Sequence, residues 1–158
     1  MAKKIGIISD THGLLRPEVL EILKTCDCIL HAGDVDRPEL LDRIRCLGSI
    51  YVVRGNNDRD WAEGIAKTLR FTIEGVKFFM THNKKDVAWE LGSAQVVIFG
   101  HTHSYSEKMV DGRLWLFQSM SLNILTILYI YVKEKCMLSV VFAYLCGFYI
   151  VFFQIMLR

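Results

Sequence analysis

Seven residues of this 158-residue chain, all of types that bind divalent metal ions, fall in short, similarly built clusters. Asp10 and His12 flank Thr11, Asp34 follows Gly33, Asn56 follows Gly55, His82 follows Thr81, and His101 and His103 stand on either side of Thr102. The spacing in Asp10-x-His12 lets a carboxylate and an imidazole turn toward one ion. Glycines before Asp34 and Asn56 permit close approach of the backbone. A mixture of carboxylate, amide oxygen and imidazole suits Mn, Fe, Ni or Zn better than Ca or Mg, and the lack of a thiolate argues against a structural zinc finger. Any one Asp or Asn among them, taken alone after a strand, reads as a turn former or helix cap. The ordered set is what points to a metal centre.

The surrounding pattern explains how such residues could meet. "KKIGIIS", "CDCILHAGD" and "SIYVVRGNND" read as strands, and "RPEVLEILKT" and "RPELLDRIRCL" between them read as helices opened by Pro17 and Pro38. Alternating strands and helices imply a largely parallel sheet with both faces covered. "LRFTIEGVKFFMTH" and "EKMVDGRLWLF" predict hairpins turning at Glu74-Gly75 and Asp111-Gly112, "KDVAWELG" a short helix, and "AQVVIFG" a buried strand. The fold class is therefore α/β with mixed pairing. Asp10, Asp34, Asn56, His82 and His101 each fall at or just past the carboxyl end of a strand, the rim where open α/β sheets bind ligands.

Composition narrows the function classes. Nineteen basic and 17 acidic residues leave a formal charge of +2, and no basic run suggests a nucleic-acid partner. The five cysteines show no CxxC spacing, and the start of the sequence lacks the apolar segment of a signal peptide. Together these read as reduced thiols in a cytoplasmic domain.

On the motifs Asp10-x-His12, Gly33-Asp34, Gly55-Asn56-x-Asp58, Thr81-His82 and Gly100-His101-Thr102-His103, residues 1–121 resemble the calcineurin-like metallophosphoesterases, in particular the small phosphodiesterases of the YfcE type. The resemblance implies a four-layer αββα sandwich, two mixed sheets flanked by helices. It implies that Asp10, His12 and His103 bind one divalent ion, that Asn56, His82 and His101 bind another, and that Asp34 bridges them. Asp34, Asn56 and His82 are also implied as catalytic residues. Manganese is the foremost metal, with Fe, Ni or Zn as options, and the implied reaction is attack of a metal-bridging hydroxide on a small-molecule phosphodiester.

Larger relatives carry a histidine after the motif asparagine, where this chain has Asn57, which cannot give up a proton at neutral pH. A preference for diesters with good leaving groups follows. Asp58 reads as a loop-ordering residue and His31 as a packed or supporting histidine. Trp61 and Trp89 could wall a substrate pocket, but core packing is the favoured reading. The alternative function is a non-catalytic scaffold on the same fold or an inactive copy.

The resemblance breaks near residue 121. Family members show Asn-Pro-Gly-Ser and closing strands, whereas this chain reads Gln118-Ser119-Met120-Ser121 and then a hydrophobic tail, 122–158. No charged residue lies from Cys136 to Leu157, a stretch that would span roughly 33 Å as a helix. It reads as a candidate transmembrane helix over 136–157, with Lys133 and Lys135 on its cytoplasmic flank and the domain anchored on that side, as a buried helix, or as an unrelated reading frame that leaves the 1–121 domain without its closing strands. The abrupt loss of pattern favours the last. The oligomeric state is not legible.

Overall fold

The structure, a computed structural model, describes residues 3–87, 91–102 and 106–117, and beyond them the backbone of strands within 125–157. Three strands, β1 (Lys3–Ile8), β2 (Cys28–His31) and β3 (Ser49–Val52), alternate with helices α1 (Pro17–Leu23) and α2 (Pro38–Arg45) and pair in parallel. Both helices open with proline after an extended arginine, because proline's fixed φ suits a first turn and disfavours helix before it. Leu40, Leu41 and Ile44 share the buried stripe of α2, while Val19 and Leu23 face inward from α1.

A second sheet follows. β4 (Thr68–Ile73) and β5 (Val76–Thr81) form the first hairpin, and β7 (Ser106–Val110) and β8 (Arg113–Phe117) the second. Their turns fall at the two residue pairs read from the sequence. Glu74 and Gly75 have φ of 48° and 80°, and Asp111 and Gly112 have 50° and 73°. Positive φ at both central residues matches the right-handed twist of hairpin strands. β6 (Val96–Phe99) lies parallel between β5 and β8, giving the order β4-β5-β6-β8-β7.

The two sheets pack face to face. Ile5, Ile7 and Leu30 of the first meet Phe78, Met80, Val96, Ile98, Leu114 and Leu116 of the second in one buried cluster. Tyr51 of β3 stacks on Phe71 of β4 with centroids 4.2 Å apart, and Phe71 stacks on Phe78. The outer face of the first sheet is covered by α1 and α2 through Val19, Leu23, Leu40, Leu41 and Ile44 against Ile8 and Ile29. On the outer face of the second, Phe79, Val97 and Phe99 pack with Ala94, Val87 and Leu91. Strands buried on both faces explain the unbroken apolar runs "VVIF" and "CIL". In the stretch expected to be a short helix, residues Lys84–Asp86 form a single 3-10 turn, and Trp89 lies outside the described residues.

The C-terminal stretch departs from its expectation. Within 136–157, read as a candidate membrane-spanning helix, the described residues form β10 (Cys136–Leu145) and β11 (Phe148–Leu157), after β9 (Leu125–Lys133). Residue content rich in Val, Ile, Phe and Tyr favours extended backbone. β9 pairs antiparallel with β1 from Lys3↔Ile130 to Ile7↔Thr126, which gives the order β11-β10-β9-β1-β2-β3. The edge of β1 expected to stand open is thus paired. Among the described residues no helix is long and apolar enough to cross a membrane.

Candidate metal centre

Five strand ends converge on one rim, as the sequence implied. The loop after β1 carries Asp10 and His12, that after β2 Asp34, that after β3 Asn56, and the ends of β5 and β6 carry His82 and His101. Asp10, His12, Asp34 and His101 all adopt left-handed backbone, with φ of 53°, 47°, 56° and 67°. Such conformations are costly for residues with a Cβ and persist where surrounding contacts enforce them. Here the contacts are backbone hydrogen bonds between loops. Asp10 N–H donates to Gly33 O (2.9 Å), His12 N–H to Asp34 O (3.1 Å) and Gly100 N–H to His82 O (3.0 Å).

Within this frame Asp10, Asp34 and His82, all buried, place one ligand atom each within 4.8 Å of one another. His82 Nε2 lies 3.4 Å from Asp34 Oδ2, 4.0 Å from Asp10 Oδ1 and 3.0 Å from Asn56 Oδ1. The other ring nitrogen, Nδ1, donates to Ala32 O at 2.8 Å, which turns Nε2 toward the cluster. Asp10 Oδ1 is buried with no hydrogen-bond partner among the described residues. Lone-pair atoms converging on a buried, orphaned carboxylate oxygen call for a positive charge, and the mixed O and N donor set fits a transition-metal ion.

The titration of the cluster reflects the same demand. Burial alone would lower the His82 pKa, but the hydrogen bonds to Asp34 and Ala32 and the carboxylate charges of Asp34 and Asp10 leave it raised. For Asp34, burial pushes upward and is outweighed by the hydrogen bonds from His82 and Asn57 N–H and by the charges of His82 and His12, so its carboxyl is held down.

Supporting residues fix the ligands. Asn57 donates from N to Asp34 Oδ1 and from Nδ2 to Asp34 Oδ2, both at 2.8 Å, so it clamps the carboxylate implied to bridge. Asp58, 2% exposed, accepts from Asp34 N, Gly55 N and Asp36 N at 2.9, 2.8 and 2.8 Å. Asp36 Oδ2 lies 2.9 Å from His12 Nδ1, orienting that ring, and Ser9 Oγ donates to Asp10 Oδ2. His31 is fully buried. Its Nδ1 accepts from Gly33 N–H, so Nε2 carries the proton toward Thr11 Oγ1 at 3.0 Å, and burial together with the charge of His82 lowers its pKa to about 3. Two glycines make the crowding feasible. A Cβ on Gly55 would overlap the Asp34 carboxylate, and one on Gly100 would overlap Ser9 Oγ.

Asp10, Asp34, Asn56 and His82 are therefore brought together. His101 joins through its backbone N–H, 3.2 Å from Asp10 Oδ2, and its ring meets His82 edge-on with centroids 5.2 Å apart. His12 stands on the same rim, 39% exposed, and His103 lies outside the described residues. Sequence reasoning passed over the clamp by Asn57 and the supports from Ser9 and Asp36. Ser9 beside Asp10, Asn57 beside Asn56 and Asp36 two residues after Asp34 were the available signal.

Residues 4–119 match the model of the calcineurin-like phosphoesterase superfamily domain, and the chain belongs to that superfamily. A protein of Methanothermobacter thermautotrophicus named as a probable metallophosphoesterase is 34% identical over 114 residues, 63% of this chain and 66% of the relative. The chain thus spans just under two thirds of that relative's length. A solved structure described as a novel archaeal phosphodiesterase superposes with a TM-score of 0.68 at 26% identity, covering 96% of this chain and 99% of the other. The vacuolar sorting protein Vps29 of Entamoeba histolytica, solved with zinc, has the same fold, with a TM-score of 0.74 at 20% identity over 97% and 99% of the two chains.

Proposed function

We propose that the chain is a metal-dependent phosphoesterase whose substrates are small-molecule phosphodiesters. The observation that carries this reading is the convergence of Asp10, Asp34 and His82 around an orphaned carboxylate oxygen, with Asn56 against His82. Asp10, His12 and His103 would hold one divalent ion, Asn56, His82 and His101 a second, and Asp34 both, with manganese foremost. When bound, such ions supply Lewis-acid activation of water and positive charge against the phosphate.

The chain's own residues do the positioning. Asp34 is held at both oxygens by Asn57, and His82 is aimed by Ala32. Asn57, occupying the place where larger relatives carry an acid, turns its backbone N–H and Nδ2 to Asp34 and has no proton to release. The leaving alkoxide therefore departs without a side-chain acid from this position, which favours diesters of acidic alcohols.

The fold likeness to Vps29 is what supports a scaffold, while the retained ligand set supports the enzyme. Hydrolysis of bis(4-nitrophenyl) phosphate by purified protein with added Mn²⁺ separates them. Turnover that requires metal and falls at least about a hundredfold in His82→Ala is expected. Folded wild-type protein that binds Mn²⁺ without turnover would favour the scaffold.

A further inference from the structure

Beside the metal centre lies a cavity of about 280 Å³ lined by Asp36, Asn57, Arg59 and Trp61. Two of its walls are one hydrogen bond from expected ligands, Asn57 from Asp34 at 2.8 Å and Asp36 from His12 at 2.9 Å. A group esterified to a phosphate held at the centre would therefore enter it. The volume is just below the roughly 300–1,000 Å³ of typical ligand pockets, which suits one ring system more than an extended chain.

We propose that this cavity is the subsite for one ester arm of the substrate and that it takes a flat, hydrogen-bonding ring of nucleobase type, a proposal that rests on the phosphodiesterase reading above. Trp61 supplies the stacking surface. It follows Asp60 in the 3-10 turn Asp60–Ala62, is half-buried, and packs against the α1/α2 core, so the indole is anchored with part of its surface toward the cavity. Asn57 directs Nδ2 to Asp34, which turns its carbonyl oxygen the other way, and Asp36 adds a carboxylate held by His12. The Asn57 oxygen and Asp36 Oδ2 are the acceptors for ring N–H or ribose hydroxyl groups, Asp36 Oδ1 being buried. Arg59 is exposed and makes no ion pair among the described residues, so its guanidinium is available to a phosphate oxygen. Aromatic surface, acceptors and cation together match a nucleotide better than an aliphatic or purely apolar alcohol, which would leave the acceptors unpaired.

The test compares two diesters that release the same 4-nitrophenolate, thymidine 5′-(4-nitrophenyl) phosphate and methyl 4-nitrophenyl phosphate. The nucleoside arm should raise kcat/KM at least tenfold, chiefly through KM. Trp61→Leu should reduce that ratio about tenfold, as loss of a base–aromatic stack does, while Trp61→Phe retains most of it. Arg59→Gln, an exposed change that leaves the core untouched, should raise KM for both diesters alike. A second readout needs no turnover. In EDTA, saturation transfer from the wild-type protein to the base protons of thymidine 5′-monophosphate should be seen, and should be lost in Trp61→Leu. Equal kcat/KM for the two diesters, or base contacts that survive Trp61→Leu, would overturn the subsite. Inactivity toward both diesters with base contacts intact would overturn the phosphodiesterase reading and leave the cavity's occupant standing.

Discussion

The Asp58 carboxylate offers the sharpest test of how the rim is held. Its Oδ2 accepts from Asp34 N and Gly55 N and its Oδ1 from Asp36 N, in a site 2% exposed. Asparagine is nearly isosteric, but it must put an NH₂ where one of these oxygens was. The least costly placement replaces Oδ1, leaving the half-buried Asp36 N–H facing a donor at a cost of about 1 kcal/mol. The two bonds to the remaining oxygen lose charge assistance, worth ~1 kcal/mol each. Asp58→Asn should therefore cost roughly 3 kcal/mol, a fall in Tm of about 6–12 °C for a domain of this size. Asp58→Ala, which orphans all three donors, should cost somewhat more. Thermal denaturation in EDTA followed by circular dichroism measures this directly. A Tm for Asp58→Asn within about 2 °C of wild type, the shift of an ordinary surface change, would refute the assignment.

Gly100→Ala should blunt or abolish the Mn²⁺-induced rise in Tm, since its Cβ would displace Ser9 and crowd Asp10; an undiminished rise would contradict the close approach. His31, with its pKa depressed from 6.5 to about 3 by burial and by the charge of His82, contributes stability that is complete above pH 6.5. Below that the unfolded chain takes a proton the folded chain refuses, and stability declines toward pH 3, by up to a few kcal/mol. Denaturant titrations between pH 7.5 and 4 should show a flatter profile for His31→Gln than for wild type, and parallel profiles would exclude the effect. Cys28, buried and pushed up to about 11 by burial and then by the charges of Asp27 and Cys26, should resist iodoacetamide at pH 8 while the exposed Cys46 reacts; peptide mapping with equal labelling would contradict this.

Much of the rim was legible because its signals are local. Glu74-Gly75 and Asp111-Gly112 name their turns through the positive φ they require, and Pro17 and Pro38 name their helix starts. Asp10, Asp34, Asn56 and His82 were readable as residues following apolar strands, since parallel pairing brings those ends together. The stretch from Cys136 to Leu157 was not, because an unbroken apolar run has no period from which to tell strand from helix. Nor could spacing show that Asn57 turns back onto Asp34, or that Trp61, read as either core or pocket wall, touches both. Those outcomes depend on which loops lie opposite one another in the folded chain.

Direct metal counting tests the proposed pair of divalent ions on this rim. Protein stripped with chelator, reloaded with Mn²⁺ and passed through a desalting column should retain two ions per chain by elemental analysis, and His82→Ala fewer. Folded wild-type protein that retains none, or a His82→Ala variant that retains the full complement, would contradict it.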